Sequence, residues 1–385
     1  MKLSISYNGD LDLIENLGDY KNVFCFYGGS SKEGIGSGRS AFAIPANTPE
    51  DIELAVNKAH SFGKEFNFLM NSSCMGNREF EPETYQQIVA QLDWAVEIGV
   101  DWVTIANPFV LEVCRKRHPD LKVSLSSFAM VESVERAKYF DDMGIKEITV
   151  RENISRDFAL LERIQNSVQC DIQVIVNQTC LYECPMQFYH DNVMSHSSHS
   201  KDGSSKGFLD YCSIKCTYEK FSNAGNIMKA RWIRPEDLSL YENIGIHHYK
   251  VTDRSKSTNW LIQAAKAYHD RQYRGNLADI LNIVHIMNRR SVGPTAPKLE
   301  ASSGQLHTMR KSIRALSLLD IHIDNSKLDG FIDFFKSADC RSLDCSVCGY
   351  CDEYAMNVIS FPDEHSRSKS LNELDQIING TVDNR

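Results

Sequence analysis

Short β-type runs alternate with amphipathic stretches along the first three-quarters of the chain, and this alternation most narrows the possible folds. The runs fall at 2–6, 23–27, 65–70, 102–105, 122–125, 147–150, 172–176 and 247–251. They are rich in Val, Ile and Phe and bounded by Gly or polar residues, as strands are. Helical patterns lie between most of them. One opens at Thr48-Pro-Glu-Asp with a cap residue, an N1 proline and a first-turn acid. Its apolar residues Ile52, Leu54, Ala55, Ala59 and Phe62 recur at helical spacing. Others are predicted near 82–98, 108–117, 131–143, 155–168 and 258–270, with Gly99 and Gly144 as C-terminal stops. Eight strands alternating with helices predict an α/β fold, a (β/α)8 TIM-type barrel. Polar residues just past the strand ends would converge on one mouth of such a barrel. They are Asn71, Asn107, Ser126, Arg151, Glu152, Asn177, Asp253 and Arg254.

The predicted organisation is a barrel over 1–290, with a long insertion at about 177–245 before the last strand. A small cysteine-rich module is expected over 291–365, entered through a linker at 291–304. A polar tail with little reason to fold is expected over 366–385. The N-terminus has no signal-peptide pattern, and no apolar run is long enough to span a bilayer. A cytoplasmic protein is expected. The net charge of −9 has no polybasic run behind it, which disfavours an unaided grip on nucleic acid.

Twelve cysteines is a high count for a chain expected in a reducing compartment, where metal binding is the leading reason for cysteines to cluster. Cys25, Cys74, Cys114 and Cys170 are scattered and read as inert buried thiols. The other eight form two groups. Cys180-Leu-Tyr-Glu-Cys184 and Cys212-Ser-Ile-Lys-Cys216 flank a His- and Ser-rich stretch. Thiolates select zinc or iron–sulfur clusters, and the three-residue spacing is wider than the usual zinc knuckle. A metal site of iron–sulfur type is expected on Cys180, Cys184, Cys212 and Cys216. Residue 187 is Gln, so the Cys-x3-Cys-x2-Cys of radical S-adenosylmethionine chemistry is not met here. His190, His196 and His199 are nearby candidates for a ligand or a proton, His190 first among them. The second group, Cys340, Cys345, Cys348 and Cys351, is dense enough for zinc or a second cluster. A structural role is expected there, because a module this small needs a metal staple.

An ordered set of short motifs resembles peptidase family U32, the collagenase-like peptidase superfamily, through most of residues 20–280. The set comprises Gly-Ser-Gly-Arg39-Ser, Lys64-Glu-Phe-Asn-Phe-Leu-Met-Asn71, Gly99-Val-Asp101-Trp-Val and Ser124-Leu-Ser126-Ser127. It continues with Val150-Arg151-Glu152, the first cysteine segment, Ile233-Arg-Pro-Glu-Asp237-Leu and Tyr249-Lys250-Val-Thr-Asp253-Arg254. The superfamily also contains oxygen-independent hydroxylases of RNA bases and of the ubiquinone pathway. The resemblance implies a barrel and a [4Fe-4S] cluster on Cys180, Cys184, Cys212 and Cys216. It also implies a carboxylate-bearing oxygen donor, prephenate in the family's hydroxylases. Two positions depart from the family: Tyr-Glu-Cys184 replaces Gly-Arg-Cys, and Lys-Val-Thr-Asp-Arg254 replaces Lys-Ile-Glu-Gly-Arg.

The expected function is therefore an iron–sulfur-dependent hydroxylation or related redox modification of a metabolite, a peptide or RNA. Arg39, Arg151 and Arg254 are candidates to hold an anionic co-substrate, since guanidinium suits carboxylate and phosphate. Asn71, Asn107 and Asn177 are further substrate-binding candidates. Glu152, His190 and Asp253 are the candidate acid–base residues. The alternatives are a metal-dependent peptidase, although no His-Glu-x-x-His helix is present, and a non-catalytic iron–sulfur subunit. Homo- or hetero-oligomeric assembly is open.

Overall fold

The computed structural model describes residues 1–30, 35–40, 47–198, 210–284 and 303–380. Eight parallel strands close into a ring in sequence order. They are β1 (Lys2–Ser6), β2 (Val23–Gly28), β3 (Glu65–Met70), β4 (Trp102–Ile105), β5 (Lys122–Leu125), β6 (Glu147–Thr149), β7 (Asp171–Ile175) and β8 (His248–Val251). β1 pairs with β8 as well as β2, through Leu3 opposite Tyr249 and Ile5 opposite Val251, so the sheet has no free edge. The predicted barrel is present.

Strand alternation divides the residues by chemistry. Leu3, Ile5, Phe66, Phe68, Val103, Val123, Ile148, Ile172 and Val174 belong to the apolar core. Their alternates form a buried polar network. Ser124 and His248 bond the Glu147 carboxylate at 2.7 Å each, and Gln173 reaches it at 3.1 Å. Thr104 bonds Asn67, and Thr149 bonds Gln173, both at 2.8 Å. Burying a carboxylate is tolerable only with such partners. They hold Glu147 below the usual carboxylate range although burial pushes the other way.

The barrel helices are α1 (Leu11–Leu17), α2 (Pro49–Ser61), α3 (Pro82–Glu97), α4 (Pro108–Arg117), α5 (Val134–Asp142) and α6 (Phe158–Gln165). Thr48 and Asp51 form the predicted capping box of α2. Gly99 and Gly144 both adopt φ near +80°, as stop residues do (81° and 76°). The short α1 was not expected. Asp10 caps it, and Leu13, Ile14 and Leu17 are its buried face.

The insertion after β7 carries α7 (Gln187–Ser198), α8 (Tyr211–Ser222), α9 (Gly225–Lys229) and α10 (Leu238–Glu242), and α11 (Thr258–Asp270) follows β8. His199 and the stretch to residue 209 lie outside the described residues, as does the expected linker up to residue 302. The C-terminal part contains α12 (Ser303–Ser317), β9 (His322–Ile323), α13 (Cys345–Cys348), α14 (Tyr350–Val358), β10 (Ile359–Ser360) and α15 (Glu364–Ile378). It is docked on the insertion, with α14 against α9 and α15 against α8, while α12 packs on α15 within the C-terminal part. The expectation of an unfolded tail from 366 is corrected by α15. Asp363 caps that helix and Leu374 is fully buried on it. Leu371, Leu374 and Ile378 recur every three or four residues, which gives one apolar face to bury. No helix of the described residues is long and apolar enough to cross a membrane.

Candidate active site at the barrel mouth

A cavity of about 130 Å³ opens beyond the C-terminal ends of the strands. All four cysteines of the first group line it. Cys180 and Cys184 sit on the loop after β7. Cys212 and Cys216 are one turn apart on α8, so their side chains share one helix face. Asn153, just past β6, shapes the first loop. Its Oδ1 accepts the Glu183 N–H at 2.9 Å and its Nδ2 donates to the Glu183 carboxylate at 2.7 Å. This pair secures Glu183 in the left-handed region at φ 47°, a conformation that costs a non-glycine residue about 1 kcal/mol or more.

Burial pushes three of the thiols up. Cys180 lies well above its ordinary value, with Glu152 adding to the effect, and Cys212 is raised to about 12, with Asp210 adding to it. Cys184 is raised as well. Without a cation these groups stay protonated, and thiolate ligation requires one. Among the described residues, no three His, Cys, Asp or Glu side chains are gathered around a point where one metal ion would sit.

The same cavity is lined by Arg39, Lys250 and Arg254, and by the carboxyls Glu152, Asp191 and Asp253. Arg254 is anchored by Ser37, whose carbonyl accepts at 2.8 Å and whose hydroxyl accepts at 3.2 Å. Burial works against the Arg39 charge, but Asp253 and Cys180 more than restore it. The Lys250 ammonium lies 4.5 Å from the centre of the Tyr27 ring, and burial lowers its proton affinity. Burial raises Glu152, and it raises Asp191 further, with Glu152 as the next cause. The Asp191 Oδ2 is buried without a hydrogen-bond partner. His190 lines the cavity and pairs with Asp210 at 3.0 Å. Asn71 donates to Ser126 at 3.3 Å, while its own Oδ1 is buried and unpartnered.

Three predicted substrate-binding residues sit elsewhere. Asn107 caps α4 by accepting the Phe109 N–H at 2.8 Å, and its amide donates to Glu79. Asn177 is spent on Thr252 at the end of β8. Arg151 donates to Gln187 at 2.9 and 2.7 Å and pairs with Glu132, so it touches the cavity only through Gln187. Sequence reasoning passed over Asp191, Asn153 and Gln187, which nothing local distinguishes. Lys250 did carry a signal, as a lysine inside a strand whose residues are all buried.

Cys340, Cys345, Cys348 and Cys351 line a second, smaller cavity together with Tyr182 and Arg231. Of the scattered cysteines, Cys25, Cys114 and Cys170 are buried and Cys74 is half-buried.

The sequence profile of the family described as peptidase family U32 matches residues 37–276. An uncharacterized protease of Methanocaldococcus jannaschii is 28% identical over 323 residues, 84% of this chain and 85% of that protein. tRNA hydroxylation protein P of Escherichia coli is 24% identical over 172 residues, 43% of this chain and 36% of that protein. tRNA hydroxylation protein P1 of Bacillus subtilis is 20% identical over 275 residues, 68% of this chain and 60% of that protein. Among solved structures, a U32 peptidase matches with a TM-score of 0.49 and 20% identity, covering 65% of this chain and 92% of that one.

Proposed function

Since the chain belongs to peptidase family U32, we propose that it is an iron–sulfur enzyme performing an oxygen-independent hydroxylation or related redox modification, with RNA as its first candidate substrate. The carrying observation is that four thiols from two separate segments face one cavity with Arg39, Lys250 and Arg254. Two relatives bear the name of tRNA hydroxylation proteins, although this chain spans only 36% and 60% of their lengths.

The residues suit a [4Fe-4S] cluster on Cys180, Cys184, Cys212 and Cys216. The donors are soft, and about 130 Å³ is room for several atoms. When bound, the cluster would supply one-electron chemistry. Arg39, Arg254 and Lys250 would hold the carboxylate of an anionic co-substrate. Burial raises the proton affinity of Glu152 and Asp191, which suits them to donate a proton to developing negative charge. Asp210 would fix the orientation of the His190 ring.

Anaerobic purification with iron, zinc and sulfide analysis tests the proposal. The expected result is a brown protein with about four iron atoms at the mouth site, lost in Cys180→Ala and Cys216→Ala. Cellular tRNA from a deletion strain is expected to lack a nucleoside carrying one added oxygen. A colourless protein without acid-labile sulfide would overturn it. The peptidase alternative predicts peptide cleavage by the purified protein. Gly203, Ser205 and Gly207 have the spacing of a serine nucleophile turn, but they lie outside the described residues.

A further inference from the structure

The second cysteine group adjoins two buried guanidinium groups that form no ion pair among the described residues. Arg156 is 2% exposed and Arg231 is 6% exposed. Arg156 donates only to the carbonyls of Met228 and Trp232, and it stacks on Trp232 at 4.5 Å and Phe331 at 5.0 Å. Arg231 lies 3.9 Å above the Tyr182 ring and 5.3 Å from that of Phe335, and its Nε is buried with no hydrogen-bond partner. Among the described residues neither has a carboxylate partner. Burial, and then the neighbouring Arg231, pulls Arg156 down to about 10. Lys229, the third cation here, is already paired with Asp352 at 2.8 Å. Two adjacent unpaired buried cations cost several kcal/mol each unless an anion accompanies them.

We propose that Cys340, Cys345, Cys348 and Cys351 bind one divalent thiophilic ion, zinc by ligand type, and that this anionic centre balances Arg156 and Arg231. Four thiolates around a divalent ion leave two negative charges, which match the two guanidiniums. The cavity shared by the four cysteines measures about 20 Å³, close to one water-sized sphere, whereas the mouth cavity is about 130 Å³. That space is on the scale of a single ion. Cys345 and Cys348 are one turn apart on α13, and Gly349 at φ 65° turns the chain so that Cys351 follows on α14. Cys348 is exposed and the other three are half-buried, and the four sulfurs, not gathered around one point as they stand, would have to turn toward the ion on binding.

Tyr182 links this centre to the barrel mouth. It lies between Cys180 and Cys184 in sequence, lines the second cavity and packs on Arg231. The ion therefore braces the loop that carries two thiols of the first site.

Elemental analysis of the anaerobically purified full chain tests this independently of the mouth site. About one zinc per chain is expected. Cys180→Ala is expected to keep it, and Cys345→Ser and Cys348→Ser to lose it. Arg231→Met is expected to weaken zinc affinity, read by competition with a chromophoric chelator, by about 10–100-fold, the usual effect of removing an outer partner of a metal site. It is also expected to invert in sign on melting. The metal-free variant should melt above metal-free wild type, because an unpaired buried charge is gone, and the zinc-loaded variant below zinc-loaded wild type. The wild-type chelation measurement stands even if the cysteine variants fail to fold. Zinc retained after both cysteine substitutions, iron and sulfide lost in zinc's place, or the same shift of melting in both metal states would overturn the proposal.

Discussion

Replacing Asn177 with alanine removes the side chain that ties the end of β7 to the end of β8. Its Nδ2 donates to the Thr252 carbonyl, and its Oδ1 accepts the Thr252 N–H at 2.9 Å and the Thr252 hydroxyl at 3.1 Å. Asn177 is fully buried. Asn282 also serves the Thr252 carbonyl and hydroxyl, at 3.1 Å each, so those two groups keep a partner. The Thr252 N–H loses this one. An orphaned donor costs about 1–3 kcal/mol, and the small void adds to it, so Asn177→Ala is expected to cost about 2–3 kcal/mol. Urea unfolding followed by circular dichroism should show a lower midpoint with an unchanged slope. Asn177→Asp keeps an acceptor for the N–H but sets a carboxylate against the Thr252 carbonyl, and it should lose at least as much. Iron content and affinity for anionic ligands should change by less than about twofold in Asn177→Ala, because the residue does not line the cavity. A stability loss under about 0.5 kcal/mol together with abolished ligand binding would refute this and make Asn177 a binding residue.

Gly38→Ala should weaken anionic-ligand binding in a calorimetric titration and lower stability by about 1 kcal/mol. Gly38 sits at φ 64°, and an added Cβ would come within 3.0 Å of the Asn71 amide and the Phe128 ring. Trp232→Ala should cost about 3–5 kcal/mol by chemical denaturation, because the ring is 1% exposed and underlies both Arg156 and Phe331. Asp210 is held at about 2, since the His190 ring and the Ser213 hydroxyl and N–H outweigh burial. A depressed carboxylate stabilises the fold above its unfolded value near 3.9 and loses that contribution as pH falls through the folded one. Asp210→Asn should therefore flatten the stability profile between about pH 4 and pH 2, and an unchanged acid slope would contradict the pairing.

The strands were legible because their apolar faces, Gly boundaries and β-branched content are local signals, and the predicted runs at 2–6 and 65–70 match β1 and β3. The helix α1 escaped because four apolar residues in a stretch of seven give too short a period to recognise. The helix α15 escaped because its polar composition concealed the spacing of Leu371, Leu374 and Ile378. The site was legible where chemistry concentrates: the four cysteines, Arg39, Asn71, Glu152, His190, Asp253 and Arg254 all line the mouth cavity. Asn107, Arg151 and Asn177 share the position after a strand, but register and partners turned each to capping or bracing. Asp191 gains its character wholly from its surroundings, a buried carboxyl beside Glu152, and no local pattern encodes that.

Closure of the ring between Lys2–Ser6 and His248–Val251 constrains the order of assembly during synthesis. The first strand cannot find its second neighbour until the eighth has emerged, so both flanks of the unfinished sheet remain unpaired meanwhile. Contacts so distant in sequence form slowly, and open strand edges invite misassociation. The mouth cavity is lined by Lys250 and Arg254, so a chain halted before β8 already has all four thiols, Cys180, Cys184, Cys212 and Cys216, but no finished chamber around them. The chamber that surrounds the four thiols is thereby completed only by the last strand of the ring, after every one of those thiols has been synthesised.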